Sequence, residues 1–249
     1  MNKYSLSIIT INRNNAEGLK KTIQSVVCQL YKEFEFIVID GASTDESKQI
    51  IIDHEKHISY WVSEKDKGIY NAMNKGISKA TGDFVLFLNS GDSLLEDKDI
   101  LEKVVLNLQK TAVYYAPIYL ENNETTKHLV EYPKRIDEKF AFTNTLCQQA
   151  IIYHSSVFHN NFFDESLKFI SDWKMHFSLF KNKIEFIHFN VPFALYDING
   201  LTSKGETKYN AHRERLKTQF LEFTFYFFKY YGTNKRVFLR LLKMVLKIK

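Results

Sequence analysis

Hydrophobic positions in the first hundred residues follow two alternating rhythms. Tyr4 to Ile11 (YSLSIITI), Phe34 to Ile39 (FEFIVI), Ile58 to Val62 and Phe84 to Leu88 (FVLFL) are short apolar runs that predict strands. Between them, Glu17 to Leu30 carries Leu19, Ile23, Val26, Val27 and Leu30 at helical spacing. Asp45 to His54, Ile69 to Ala80 and Asp97 to Gln109 predict further helices, with Ser43 or Thr44 as a cap for the first of these. Strands that are apolar almost throughout and alternate with helices predict an α/β fold, a mainly parallel sheet covered on both faces.

The rhythm changes after Val113. Val113 to Leu120 predicts a strand, ENNETTKH a polar turn, and Gln148 to Tyr153 a return to the sheet. Ser171 to Phe180 predicts a helix, Ile184 to Phe189 a strand, and Asp197 to Gly205 (DINGLTSKG) a polar loop. Near the end, Phe238, Leu241, Leu242, Val245 and Ile248 recur on one side of a helical pattern, with Arg236, Arg240, Lys243 and Lys247 on the other. No repeat or low-complexity linker interrupts the chain. The expected organisation is an α/β domain over 1–205 and a basic, amphipathic helical extension over 206–249.

Charge sharpens that division. The formal charge is +5, but residues 213–249 hold ten Lys/Arg against two Glu, leaving the body mildly acidic. A protein-wide nucleic-acid footprint is therefore a poor explanation of the basicity. The cationic helix fits packing on the body or on a second copy of the chain, and equally an anionic membrane surface. No uncharged apolar stretch reaches the ~18 residues of a spanning helix, and MNKYSLSIITIN reads as a first strand rather than a signal peptide. Cys28 and Cys147 have no metal-ligand spacing, and two buried thiols in a reducing compartment is the simplest reading.

Polar clusters fall where the predicted strands end. Thr10, Asn12 and Arg13 follow the first, Asp40, Gly41, Ser43 and Asp45 the second, Asp66, Lys67 and Gly68 the third, and Asn89, Ser90, Gly91 and Asp92 the fourth. Open α/β sheets bind ligands beyond these carboxyl ends. Asn and Asp are also ordinary turn residues, so one such cluster means little and four mean more. Oxygen ligands around Asp92 suit Mg²⁺ or Mn²⁺ rather than a soft metal. Asp172, at a helix start, has a routine capping reading beside a second one as a proton acceptor. Neither a P-loop nor GxGxxG is present, which removes the best support for kinase-like and dinucleotide-binding readings.

Together these segments resemble glycosyltransferase family 2, inverting enzymes of the GT-A fold, over roughly residues 4–200. Ser7 to Asn12 (SIITIN) is similar to an opening V-I-P-T-Y-N, with Ile9 in place of Pro. Ile39 to Asp45 (IDGASTD) is similar to the D-G-S-T-D element. Ser63 to Gly76 (SEKDKGIYNAMNKG) closely resembles a stretch found in bacterial surface-polysaccharide transferases. Asn89 to Asp92 occupies the DxD-type region, with Asp92 as its remaining acid. Ser171-Asp172-Trp173 is similar to E-D-W/Y, and Cys147 to Ala150 (CQQA) to C-H-Q-A, with Gln148 where His often stands.

That resemblance implies a Rossmann-like GT-A domain with a C-terminal helical extension, and inverting transfer from a nucleoside-diphosphate sugar, a UDP-sugar above all, to a glycan or lipid-linked hydroxyl. It implies Asp172 as catalytic base, Thr10, Asn12, Asp40, Asp66 and Asn89 at the nucleotide, Asp92 at a divalent Mn²⁺ or Mg²⁺, and Asn199, Gly200 and Thr202 in a loop near the diphosphate or acceptor. The expected setting is cytoplasmic, peripheral to the inner membrane, in cell-envelope polysaccharide synthesis. A nucleotidyltransferase and a noncatalytic nucleotide- or glycan-binding protein are the competing readings.

Overall fold

The computed structural model describes residues 6–108, 111–122, 126–198 and 205–232, together with Arg236 and Leu239. Its first half runs β1 (Leu6–Asn12), α1 (Ala16–Val27), β2 (Phe34–Asp40), α2 (Ser47–Asp53), β3 (Tyr60–Ser63), α3 (Ile69–Ile77), β4 (Phe84–Phe87), β5 (Ser93–Leu94) and α4 (Ile100–Val105). The second half runs β6 (Val113–Tyr115), β7 (Ile118–Asn122), β8 (Thr126–Val130), α5 (Glu138–Thr143), β9 (Ile151–His154), α6 (Ser171–Lys181), β10 (Phe186–His188), β11 (Ala194–Asp197), α7 (Gly205–Glu222) and α8 (Thr224–Tyr231).

One sheet has the order β10-β6-β9-β4-β1-β2-β3. β1 is parallel to β2 and β4, β2 to β3, and β6 to β10; β9 alone in this sheet runs antiparallel to its neighbours β4 and β6. Every side chain of β1 is buried, and period-two alternation divides them between two cores. Leu6 and Ile8, with Phe36 and Val38 of β2, meet Leu19, Ile23 and Val26 of α1 and Leu101 and Val104 of α4. Ile9 and Ile11, with Ile37 and Ile39, meet Tyr70, Met73 and Ile77 of α3 and Trp173 and Phe177 of α6. This is the mainly parallel, doubly covered α/β sheet that the apolar runs predict.

A second sheet, β5-β11-β7-β8, sits at its margin, and it departs from expectation. The single strand expected over Val113 to Leu120 is two strands, because Pro117 has no N–H for a ladder and the chain changes sheets there. The ENNETTKH stretch belongs to the β7–β8 hairpin, and β11 was not anticipated. Neither Ser43 nor Thr44 caps α2. That helix starts at Ser47, whose N–H donates to Asp45 Oδ1 at 3.0 Å, while Ser43 turns toward Asp40. Both cysteines are free, but Cys28 is exposed rather than buried, since it follows the last turn of α1 on the side away from the sheet-facing Leu19, Ile23 and Val26.

α7 and α8 lie against the domain. Phe223 and Phe227 are buried, and Phe223 meets the Phe177 ring edge-on at 4.9 Å. Tyr226 and Tyr230 pack on Phe142 of α5 at 5.9 and 5.7 Å. The expected amphipathic helix from Lys235 onward lies outside the described residues apart from Arg236 and Leu239. Among the described residues no helix is long and apolar enough to cross a membrane.

Candidate active site

The parallel register sets Asn12, Asp40 and Ser63 side by side at the carboxyl ends of β1, β2 and β3. Asp40 is fully buried, and both its oxygens are occupied. Oδ1 accepts Asn12 Nδ2 at 2.8 Å and the Ser43 hydroxyl; Oδ2 accepts Ser43 N at 3.0 Å and Ser63 Oγ at 2.6 Å. Asp40 therefore ties together the ends of β1, β2 and β3. Because the Asn12 amide must point its NH₂ at that carboxylate, its oxygen faces away, buried and without a partner. Thr10 is also fully buried, and its hydroxyl donates to Leu88 O at 2.7 Å, joining β1 to the end of β4.

Asp66 stands over Gly41. A Cβ on Gly41 would lie 2.3 Å from Asp66 Oδ2, so only glycine lets this half-buried carboxylate approach the β2 end. The exposed Arg13 side chain passes the same point, 3.4 Å from that Cβ position.

The turn after β4 is tied to the β1 loop. Ser90 N donates to Ile11 O at 3.1 Å and Asn15 Nδ2 to Ser90 O at 3.1 Å. Gly91 has φ +106, a conformation that side chains rarely adopt. Asn89 Oδ1 is buried and unpartnered. Asp92 is buried; Gln149 Nε2 donates to its Oδ2 at 2.6 Å and Asp197 N to its Oδ1 at 3.0 Å. Burial pushes the Asp92 carboxyl up to about 7; those two bonds and Lys21 oppose the rise, and the Asp197 charge adds to it.

Asp172 sits in the first turn of α6, where Tyr70 of α3 donates to its Oδ1 at 3.1 Å. Burial raises its pKa, against the Trp173 N–H, the Tyr70 hydroxyl and the positive charge of Arg215. One sulfur links the two acids. Cys147 donates to Gln149 Oε1 at 2.9 Å, and Gln149 holds Asp92. Burial and the charges of both Asp92 and Asp172 raise the Cys147 pKa, so both carboxylates act on the same thiol. Next to it, Gln148 Nε2 is buried and unpartnered, and its Oε1 accepts Tyr153 OH at 3.2 Å.

The strand-end residues thus gather along one edge, and the Cys147 thiol feels the charge of both Asp92 and Asp172. Asn199, Gly200 and Thr202 lie outside the described residues. Sequence reasoning missed Tyr70, Gln149, Asp197 and Arg215. The first two lie within the quoted motifs, Asp197 was seen only as the start of a loop, and Arg215 had no signal at all.

Residues 7–168 match the family described as Glycosyl transferase family 2. The chain belongs to glycosyl transferase family 2. An uncharacterized glycosyltransferase of Mycobacterium tuberculosis is 45% identical over 89 residues, 35% of this chain and 34% of that protein. The match thus spans about a third of that relative's length. A PGL/p-HBAD biosynthesis glycosyltransferase of Mycobacterium bovis is 27% identical over 184 residues, 71% of this chain and 70% of its own. Among solved structures, S. aureus TarS in complex with UDP-GlcNAc has a TM-score of 0.69 at 19% identity, covering 98% of this chain and 76% of that one. A mannosyltransferase from Pyrobaculum calidifontis, in complex with GDP-Man and Mn²⁺, has a TM-score of 0.61 at 17% identity over 85% and 61% of the two chains. At these identities the structural likeness carries the fold.

Proposed function

We propose that this family member transfers a sugar from a nucleoside-diphosphate sugar, a UDP-sugar, to a hydroxyl of a glycan or lipid-linked acceptor, with inversion at the anomeric carbon. The observation that supports the reading is the pair of buried acids, Asp92 held by Gln149 at 2.6 Å and Asp172 held by Tyr70 at 3.1 Å, with Cys147 bonded to Gln149 and raised by the charge of both. In this reading Asp92 serves the diphosphate and Asp172 accepts the proton. TarS, similar in fold, binds UDP-GlcNAc.

The donor's nucleoside lies at the β1–β3 ends, where the unpartnered Asn12 oxygen accepts an N–H of the base. Asp40 fixes that amide, Thr10 fixes the strand pair beneath it, and Asp66 and Asn89 flank the donor. Asp172 takes the proton of the acceptor hydroxyl, whose oxygen forms the new bond to the anomeric carbon. The bond from that carbon to the diphosphate breaks on the opposite face, and the nucleoside diphosphate departs with the electron pair. A carboxyl whose pKa is raised by burial is a better proton acceptor than an exposed one.

Among the described residues, no three His, Cys, Asp or Glu side chains form a metal cluster. The oxygen donors near Asp92 nevertheless fit a hard divalent ion that is completed by substrate phosphates. They are two carboxylates, Asp92 and Asp197, and the unpartnered Asn89 Oδ1. Mn²⁺ or Mg²⁺ held there would supply positive charge to the leaving diphosphate. Asp92 and Asn89 would hold it, and Gln149 keeps Asp92 aimed.

Thermal shift with UDP-GlcNAc, with and without Mn²⁺, tests donor binding: stabilisation that depends on both is expected. Asp172→Asn should still be stabilised and should lose at least ~100-fold in turnover. Parent-like turnover in that variant dismisses Asp172 as the base.

A further inference from the structure

The C-terminal helix α7 is fastened across the start of α6, the helix that carries Asp172. Glu214 accepts Lys168 N at 3.0 Å and Phe169 N at 2.8 Å, in the segment that leads into α6. Lys174 of α6 joins Glu222 at 2.7 Å and Asp164 at 2.8 Å. Gln219 Nε2 donates to Phe142 O at 2.7 Å. Between these attachments, Arg215 lays its guanidinium over the Trp173 indole, 5.2 Å from the ring centroid, and reaches Phe142 O at 3.4 Å with one Nη. Its Nε is buried with no partner. A cation is costly to bury in this way unless a negative charge faces it.

Side chains from several elements act on Asp172. Tyr70 comes from α3, Tyr153 from β9, the Cys147 thiol from the turn before β9, and Arg215 from α7. His176, one turn further along α6, bonds Tyr153 OH and is held neutral by burial. Of these groups, Arg215 alone carries positive charge, and it feels Asp172 in return. We propose that Arg215 is a positioning residue: from the C-terminal helix, packed on Trp173, it keeps Asp172 in the charged, proton-accepting form and completes the site.

This inference rests on the reading of Asp172 as the base, and two measurements separate them. With the full chain labelled at aspartate 13Cγ, the Asp172 resonance is identified by its loss in Asp172→Asn and followed against pH by NMR. In Arg215→Met, and in the polar neutral Arg215→Gln, its midpoint moves to higher pH. In Arg215→Lys, which keeps the charge, it stays close to the parent's. A role confined to packing lowers stability in all three and moves the midpoint in none, an outcome that overturns the proposal. Turnover by Asp172→Asn strikes at the base assignment instead and leaves the midpoint comparison standing.

Discussion

At the residue scale, the site depends on buried carboxylates in contrasting surroundings. Asp40 has four donors and no further role open to it without displacing one. Asp92 has two donors but also burial and the nearby Asp197 charge, and it rises from 3.8 to about 7. A carboxyl with a folded-state pKa above its unfolded value binds more protons when folded. Its stabilising contribution is complete at low pH and is lost as pH climbs from about 4 to about 7. The melting temperature without metal should therefore fall across that window, and Asp92→Asn should flatten the fall. Mn²⁺ should raise the melting temperature of the parent above pH 7 more than that of the variant. A parent and variant with superimposable melting curves from pH 4 to 8, with and without Mn²⁺, would remove Asp92 from the metal site.

At the scale of elements, α6 is held from two sides. Trp173 is buried, stacked on Phe177 with an interplanar angle of 7°, and its indole N–H reaches Phe142 O at 3.0 Å. Trp173→Ala should cost about 3–5 kcal/mol in urea unfolding, through loss of apolar contact and a cavity. Glu214→Gln keeps an acceptor for Lys168 N and Phe169 N but removes its charge, and should cost about 1 kcal/mol. Equal costs for the two would show that α7 is secured by Glu214 as strongly as α6 is by its core tryptophan. The parts legible in sequence were those with a strong period. Ile8, Ile9, Val38 and Ile39 sit on the predicted strands, and Leu19, Ile23 and Val26 on the predicted helix face. The second sheet was not legible, because β5, β7 and β11 are short strands whose pairing depends on partners far along the chain. The α7 clamp was hidden for a related reason. Arg215 and Glu214 lie in a polar stretch, RERLKTQ, that reads as solvated surface until Trp173 and the Lys168–Phe169 backbone are brought beside it. The SEKDKGIYNAMNKG stretch carries both kinds of information: Tyr70 reaches Asp172, whereas Asn71 and Asn74 hold Glu165 at 2.9 Å each and so anchor the chain ahead of α6.

At the scale of the whole molecule, one end of the chain packs on the helix that carries Asp172, and the other properties of that end point outward. α7 and α8 bury Phe223 and Phe227, yet Leu221, Phe225 and Phe228 remain 54%, 71% and 38% exposed, and Leu239 beyond them 49%. These apolar side chains lie within the segment 213–249, where ten Lys/Arg face two Glu. Apolar insertion and attraction to anionic headgroups reinforce each other, at about 1 kcal/mol per cation near such a surface. The full chain should sediment with vesicles containing anionic phosphatidylglycerol and stay in solution with neutral phosphatidylcholine. Ending the chain after Tyr231 removes six of the ten cations, and Phe225→Ser with Phe228→Ser removes apolar surface while leaving the buried Phe223 and Phe227 in place. Either change should cut vesicle binding several-fold at physiological salt, and raising salt should cut the parent's binding further. A parent that ignores anionic vesicles but runs as a dimer, and as a monomer once shortened, would assign the same surface to a second copy of the chain.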